Sequence, residues 1–225
     1  MSLVLDRLCV APKGGAPLFP PLSLAVAPGE VATIMGPSGI GKSTLLDAIG
    51  GHLSQAFETS GRILLDGREV TALPPEARQI GVLFQEALLF PHLSVGDNLA
   101  FGLGPGVRGR AARRTAVEAA LAQAGLGGFH DRDPATLSGG QKARAALFRT
   151  LLAEPRALLL DEPFSRLDAG LRDEIRRFVF ARAAERGIPA FLVTHDAADA
   201  EAAGGQVVHL SEPGGTRHRH GHGAA

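Results

Sequence analysis

Apolar residues in this chain gather in short runs closed off by glycine, proline or charge, with longer amphipathic stretches between them. LVLDRL (3–8) and LSLAV (22–26) read as short β-rich segments, and EVATIM (30–35), held between Gly-containing turns, as a buried strand. KSTLLDAIGGHL (42–53) follows as a helix with its apolar residues on one face. GRILLDG (61–67) and IGVLFQ (80–85) are further strands, and ALLLD (157–161), PAFLVT (189–194) and QVVHLS (206–211) complete the set. Between the fifth and sixth of these the texture becomes helical and strand-poor, through VGDNLAFGL (95–103) and RAARRTAVEAALAQAGL (110–126). The amphipathic stretch LRDEIRRFVFARAAER (171–186) separates the last long strands. Alternating strands and helices predict an α/β fold, a parallel sheet covered on both faces.

Residues 1–85 and 137–211 are expected to form the core and residues 86–136 an inserted helical lobe. Residues 212–225, EPGGTRHRHGHGAA, lack an apolar anchor and are expected to be disordered. His218, His220 and His222 in that tail alternate in a pattern that chelates transition metals, but a solvated tail is the favoured reading.

Composition narrows the partners. Lys+Arg 23 against Asp+Glu 23 leaves no net charge, so a nucleic-acid partner is not expected. The single cysteine, Cys9, allows no internal disulfide and fits a reducing compartment. The N-terminus does not read as a secretory signal, and no apolar run is long enough to cross a bilayer, so a membrane role would be peripheral.

GPSGIGKST (36–44) satisfies G-x-x-x-x-G-K-[ST] through Gly36, Gly41, Lys42 and Ser43, with Pro37, Ser38, Gly39, Ile40 and Thr44 completing the loop. A strand before it and a helix after it are what a phosphate cradle requires. N–H groups from Gly39 to Thr44 are predicted to face the phosphates, Lys42 to reach the β- and γ-phosphates, and the Ser43 hydroxyl to hold Mg2+. The chain is therefore expected to bind a nucleoside triphosphate.

ALLLDEP places Asp161 and Glu162 at the C-terminal end of a buried strand, where open α/β sheets bind ligands. Alone, such a pair is more often a solvated turn; after a phosphate loop, Asp161 fits a Mg2+ ligand and Glu162 the group that orients the attacking water. Gln85 and His195 end two other strands. Each is either a satisfied polar residue or a sensor, Gln85 of Mg2+ or the attacking water and His195 of the γ-phosphate.

LSGGQ (137–141) is a second anion-binding turn, and its presence together with LLLDEPFSRLD (158–168) and VTHD (193–196) closely resembles the nucleotide-binding subunit of ATP-binding cassette (ABC) transporters. The resemblance spans residues 3 to 211 in the family's motif order. It implies a RecA-like P-loop NTPase core with an N-terminal antiparallel β subdomain and a helical lobe. It also implies a homodimer in which Ser138, Gly139, Gly140 and Gln141 of one copy cover the nucleotide on the P-loop of the other. Asp168 resembles the loop aspartate that contacts the second subunit, Gln85 the hinge glutamine that also senses Mg2+, and His195 the switch histidine. Arg166 stands where the family more often has a small residue.

EALLFPHLSVGDNLAFGL (86–103) resembles importer subunits, in which Leu89, Phe90, Pro91 and Leu93 would line a groove for a membrane-spanning permease; alternatively they pack the lobe. The implied activity is ATP hydrolysis with Mg2+, driving an importer of the short type grouped with thiamine, polyamine and ferric-iron uptake. Two permease subunits and a solute-binding protein are the expected partners, at the cytoplasmic face of the inner membrane. A soluble ABC ATPase outside transport is the alternative; a P-loop small-molecule kinase gives no reason for LSGGQ. One departure stands out: the stretch matching the family's adenine-stacking aromatic reads VAPKGG (10–15), and the chain has no Tyr and no Trp. Pro12 and Lys13 grip a base weakly, so looser ATP binding and some tolerance of GTP are expected.

Overall fold

A computed structural model describes residues 1–84 and 88–213. Gln85, expected at the hinge, and the tail histidines lie outside the described residues.

Among the described residues the strands form two sheets. Strands β1 (Leu3–Pro12), β2 (Leu22–Val26), β4 (Phe57–Leu65) and β5 (Arg68–Glu69) form an antiparallel sheet in the order β2-β1-β4-β5. Strands β3 (Val31–Met35), β6 (Ile80–Leu83), β7 (Ala157–Asp161), β8 (Ala190–Val193) and β9 (Val207–His209) form a parallel sheet in the order β6-β7-β8-β3-β9. Parallel pairing puts the C-terminal ends of β3, β6, β7 and β8 along one edge. This is why segments far apart in sequence converge there.

Burial in the parallel sheet explains its sequence. All five residues of β7 and all four of β8 are buried, so neither shows the alternation of a half-exposed strand. Alternate residues nevertheless serve different cores. Leu158, Leu160, Ala190 and Leu192 pack with helices α3 (Val95–Phe101), α4 (Arg110–Gln123), α5 (Gly139–Leu152) and α6 (Ala169–Arg186). Ala157, Leu159, Phe191 and Val193 pack on the opposite face with helix α1 (Lys42–Gly50) and with β1, β2 and β4. Each fully buried Leu or Phe in these layers contributes about 1.5–3 kcal/mol of transfer free energy.

Three short elements were not expected from the sequence pattern: β5, helix α2 (Pro75–Arg78) and helix α7 (Ala197–Ala203). Helix α2 is held from outside. Arg78, buried at the end of α2, donates from Nε to Leu73 O, from Nη1 to Ala48 O and Ile49 O, and from Nη2 to Thr71 O, at 2.7–2.8 Å. Ala48 and Ile49 lie in the last turn of α1, so one guanidinium closes the C-terminal end of that helix.

Candidate functional site: a phosphate loop and a second anion-binding turn

The loop from Gly36 to Gly41 leaves β3 and enters α1. Its last glycine, Gly41, sits at φ +98°, a conformation that favours glycine, and a Cβ there would lie 2.8 Å from Leu18 Cδ1 and displace that side chain. No side chain caps α1, and its first turn holds no acidic residue. The N–H groups of Lys42, Ser43 and Thr44 therefore end the helix without an intrahelical acceptor, at its electropositive end. Lys42 Nζ donates to Gly36 O at 2.9 Å and to Pro37 O at 2.8 Å, which holds the ammonium over the loop.

Beside the loop, at the end of β7, lies Asp161. Burial pushes its carboxyl above the ordinary carboxylate range; the Ser43 hydroxyl and Lys42 pull it back, while Glu162 pushes the same way as burial. Asp47, on α1, is raised chiefly by burial, and the charge of Asp161 adds to it. Acids crowded together with little solvent favour a cation among them. A serine hydroxyl and a carboxylate are hard oxygen donors of the kind Mg2+ takes while keeping several waters, so Ser43 and Asp161 fit that ion.

Glu162 occupies φ +47°, a left-handed conformation uncommon for a non-glycine residue and costly by about 1–3 kcal/mol. It is held there by its N–H to Val193 O at 2.9 Å and by Ser165 Oγ donating to Glu162 O at 2.9 Å. The side chain, 19% exposed, meets His195: Glu162 Oε1 and His195 Nδ1 are 3.0 Å apart, and His195 is 71% exposed. The two residues come from the ends of neighbouring strands β7 and β8, so sheet register brings them together.

The second turn expected to bind an anion opens α5. Ser138 is its N-cap in a reciprocal capping box: Ser138 Oγ accepts from Gln141 N at 3.3 Å, and Gln141 Oε1 accepts from Ser138 N at 2.9 Å. In that box the serine O–H proton is left free to donate outward. Ser138 and Gly139 are exposed. A Cβ on Gly140 would lie 3.0 Å from Arg166 O, so this turn rests directly on the turn that carries Asp168. Asp168 itself caps α6, with Oδ1 accepting from Leu171 N at 3.2 Å.

The two anion-binding helices pack on opposite faces of the parallel sheet: Leu45, Leu46 and Ile49 of α1 in one core, Ala145, Leu147 and Phe148 of α5 in the other.

Around the P-loop, a cavity of about 350 Å3 is lined by Pro17, Leu18, Pro37, Ser38, Gly39, Ile40 and Glu212. Phe19, the aromatic nearest in sequence, is fully buried in the core. In the helical segment, Leu89 packs partly into the core, whereas Leu88 and Phe101 are the exposed apolar residues, at 63% and 69%. Phe90 meets Phe101 edge-on at 4.8 Å, and the Arg149 guanidinium lies 5.0 Å from the centroid of the Phe90 ring. The resemblance to importer subunits pointed to Leu89, Phe90, Pro91 and Leu93; the large apolar side chains most exposed in this segment, among the described residues, are Leu88 and Phe101. Sequence reasoning missed Glu212, which only the path of the chain past Gly36 brings to the loop.

Fold and site together define a P-loop nucleotide-binding α/β protein with a second anion-binding turn. A family model described as ABC transporter matches residues 19–165, and the chain belongs to that family. It is 51% identical, over 80% of its length and 83% of the relative's, to the uncharacterized ABC transporter ATP-binding protein YnjD of Escherichia coli (strain K12). It is 46% identical to a thiamine import ATP-binding protein, ThiQ, of Mesorhizobium japonicum, over 92% of this chain and 79% of that one. A ferric-ion import ATP-binding protein, FbpC 1, of Rhizobium meliloti is 42% identical over 94% of this chain, which spans 59% of the relative's length. Among solved structures, the dimeric ATP-binding cassette MJ0796 in a post-hydrolysis state with ADP and Pi superposes with TM-score 0.80 at 28% identity, covering 93% of this chain and 94% of that one. The ABC ATPase fold expected from the sequence is the fold observed.

Proposed function

We infer that the chain hydrolyses ATP as the energising subunit of an importer, working as a homodimer beneath two membrane-spanning subunits. The observation that carries this reading is the placement of two anion-binding helix ends on opposite faces of one sheet. A phosphate seated on the P-loop leaves the Ser138 turn of the same chain with no anion to bind. A second copy, facing the first head to tail, supplies one.

In this reading Gly36 to Thr44 hold the triphosphate through backbone N–H groups, and Lys42 transfers from its carbonyls to the β- and γ-phosphates. Ser138 O–H and the N–H groups of Gly139, Gly140 and Gln141 cover the γ-phosphate from the second copy, with Asp168 contacting that copy. Ser43 and Asp161, with Gln85 from the hinge, hold Mg2+, which when bound neutralises developing phosphate charge. Glu162 accepts a hydrogen bond from the attacking water and aligns it with the γ-phosphate; His195, 3.0 Å away, fixes the direction of that carboxylate and reaches the phosphate with its other nitrogen. ADP lacks the phosphate that both halves share, so closure follows ATP and opening follows hydrolysis.

The importer assignment rests on the thiamine and ferric-ion relatives and on the apolar surface of Leu88, Phe90 and Phe101, which suits a short helix of a permease. It puts the protein at the cytoplasmic face of the inner membrane, with a solute-binding protein as a further partner. Among the described residues no helix is long and apolar enough to cross a membrane. With Pro17, Leu18 and Glu212 at the cavity and no exposed aromatic ring on Phe19, the grip on the base is loose.

The test is Glu162→Gln. Phosphate release is expected to fall at least about a hundredfold while an ATP-dependent dimer accumulates in size-exclusion chromatography. Brisk hydrolysis by that variant would remove Glu162 from its role, and a hydrolysis-blocked variant that stays monomeric with saturating magnesium and ATP would remove the shared site.

A further inference from the structure

Helix α6 starts at Asp168 and runs beneath the turn that presents His195, and two of its arginines, one turn apart, reach that turn. Arg176 Nη1 pairs with Asp199 Oδ1 at 2.9 Å; Asp199 Oδ2 accepts from Thr194 Oγ1 at 2.9 Å, and Thr194 Oγ1 accepts from Asp196 N at 3.1 Å. Asp199 and Thr194 are buried, so this arm is a fixed post. Arg172 is the other arm. Its Nη1 donates to Asp196 Oδ2 at 3.1 Å, and its Nη2 donates to Leu167 O at 3.2 Å. Leu167 immediately precedes Asp168, and Asp196 immediately follows His195.

Arg172 is thus attached at both ends to short turns, each of which presents one functional side chain. Asp196 is in turn committed to α7 through Oδ1, which accepts from Ala198 N at 2.9 Å, so a displacement of its carboxylate moves the start of that helix and with it His195. The fork geometry of a guanidinium makes one rigid connection out of two hydrogen bonds; an ammonium has no such fork. Its Nε, like those of Arg144 and Arg176, is buried without an acceptor among the described residues.

We propose that Arg172 is a positioning residue for hydrolysis: it links the turn that carries Asp168 to the turn that carries His195, so that contact of Asp168 with a second copy sets the His195–Glu162 pair. This deepens the ATPase reading and rests on it. Arg172 touches neither nucleotide nor reacting water; it acts through Asp196 and Leu167.

The experiment compares wild type, Arg172→Ala and Arg172→Lys in kcat, KM for ATP, Hill coefficient and thermal midpoint, and repeats the ATP-driven dimerisation with Arg172→Ala placed in the Glu162→Gln background. For Arg172→Ala, kcat should fall tenfold or more and the Hill coefficient drop toward one, with KM and dimerisation within twofold of the parent. Arg172→Lys should recover only a small part of kcat. Should Arg172→Ala fail to fold, Asp196→Asn cuts the same ion pair while keeping an acceptor for Ala198 N, and the same split is expected. Unchanged kcat and Hill coefficient would overturn the proposal, as would losses in kcat, KM and thermal midpoint together, the pattern of a purely structural residue. A wild type without ATPase activity would instead overturn the functional reading, and the control detects that separately.

Discussion

Asp161 is where local chemistry is most exposed to measurement. Its carboxyl is raised by burial, so the folded chain without metal holds that proton to a higher pH than the unfolded chain does. Ionisation therefore costs the folded state stability as pH rises from the ordinary carboxylate value to the raised one, after which the loss is constant. Asp161→Asn should stabilise the nucleotide-free protein near neutrality and flatten this acid-side dependence, while reducing the extra stability that magnesium with ATP gives the parent. Thermal unfolding across the acid-to-neutral range, with and without magnesium and ATP, checks both halves. A variant still stabilised by magnesium-nucleotide as strongly as the parent would remove Asp161 from the metal. The residue types at this edge were legible in advance, because motif spacing named Lys42, Ser43, Asp161 and Glu162. The left-handed backbone of Glu162 and the short approach of His195 were not, since both follow from the register of β7 on β8.

At the scale of elements, α1 is a nine-residue helix whose start serves the phosphates and whose end is closed by a residue twenty-eight positions on, Arg78. Burial lowers the pKa of Arg78, and its donors meet carbonyl oxygens from α1 and from the segment after β5. Arg78→Met would keep most of the volume and strand four carbonyls. We expect a loss of about 3 kcal/mol, read as a drop in thermal midpoint of about 6–12 °C. No change in the midpoint would mean that those carbonyls find other donors. Such a clamp is invisible in sequence: PEARQ scans as a polar connection, and its purpose depends on which helix end it meets. The strands and the long helices were legible because burial on both faces leaves unbroken apolar runs; β5, α2 and α7 are too short to carry a period.

At the scale of the molecule, the question is whether each chain completes its own site. Chains carrying Lys42→Ala have a damaged cradle and a sound cover; chains carrying Ser138→Arg have the reverse. Each should be inactive alone. Mixing the two should restore phosphate release, because half the possible partnerships place both defects in one site and leave the other site whole. A mixture as inactive as its components would argue that no site is shared.

Sequence by itself determined the chemistry and the class of fold. The P-loop, the acidic pair, the LSGGQ turn and the alternating apolar runs are local patterns that can be recognised without coordinates, because each is defined by residues adjacent in the chain. Tertiary structure decided what those patterns do to one another. It put the two anion-binding helices on opposite faces of the sheet, brought Glu162 within reach of His195, laid Arg172 between the Asp168 and His195 turns, and buried Phe19 away from the loop. The physical reason is that a parallel sheet gathers strand ends distant in sequence along one edge, and the order in which it gathers them is set by long-range pairing that no local period records.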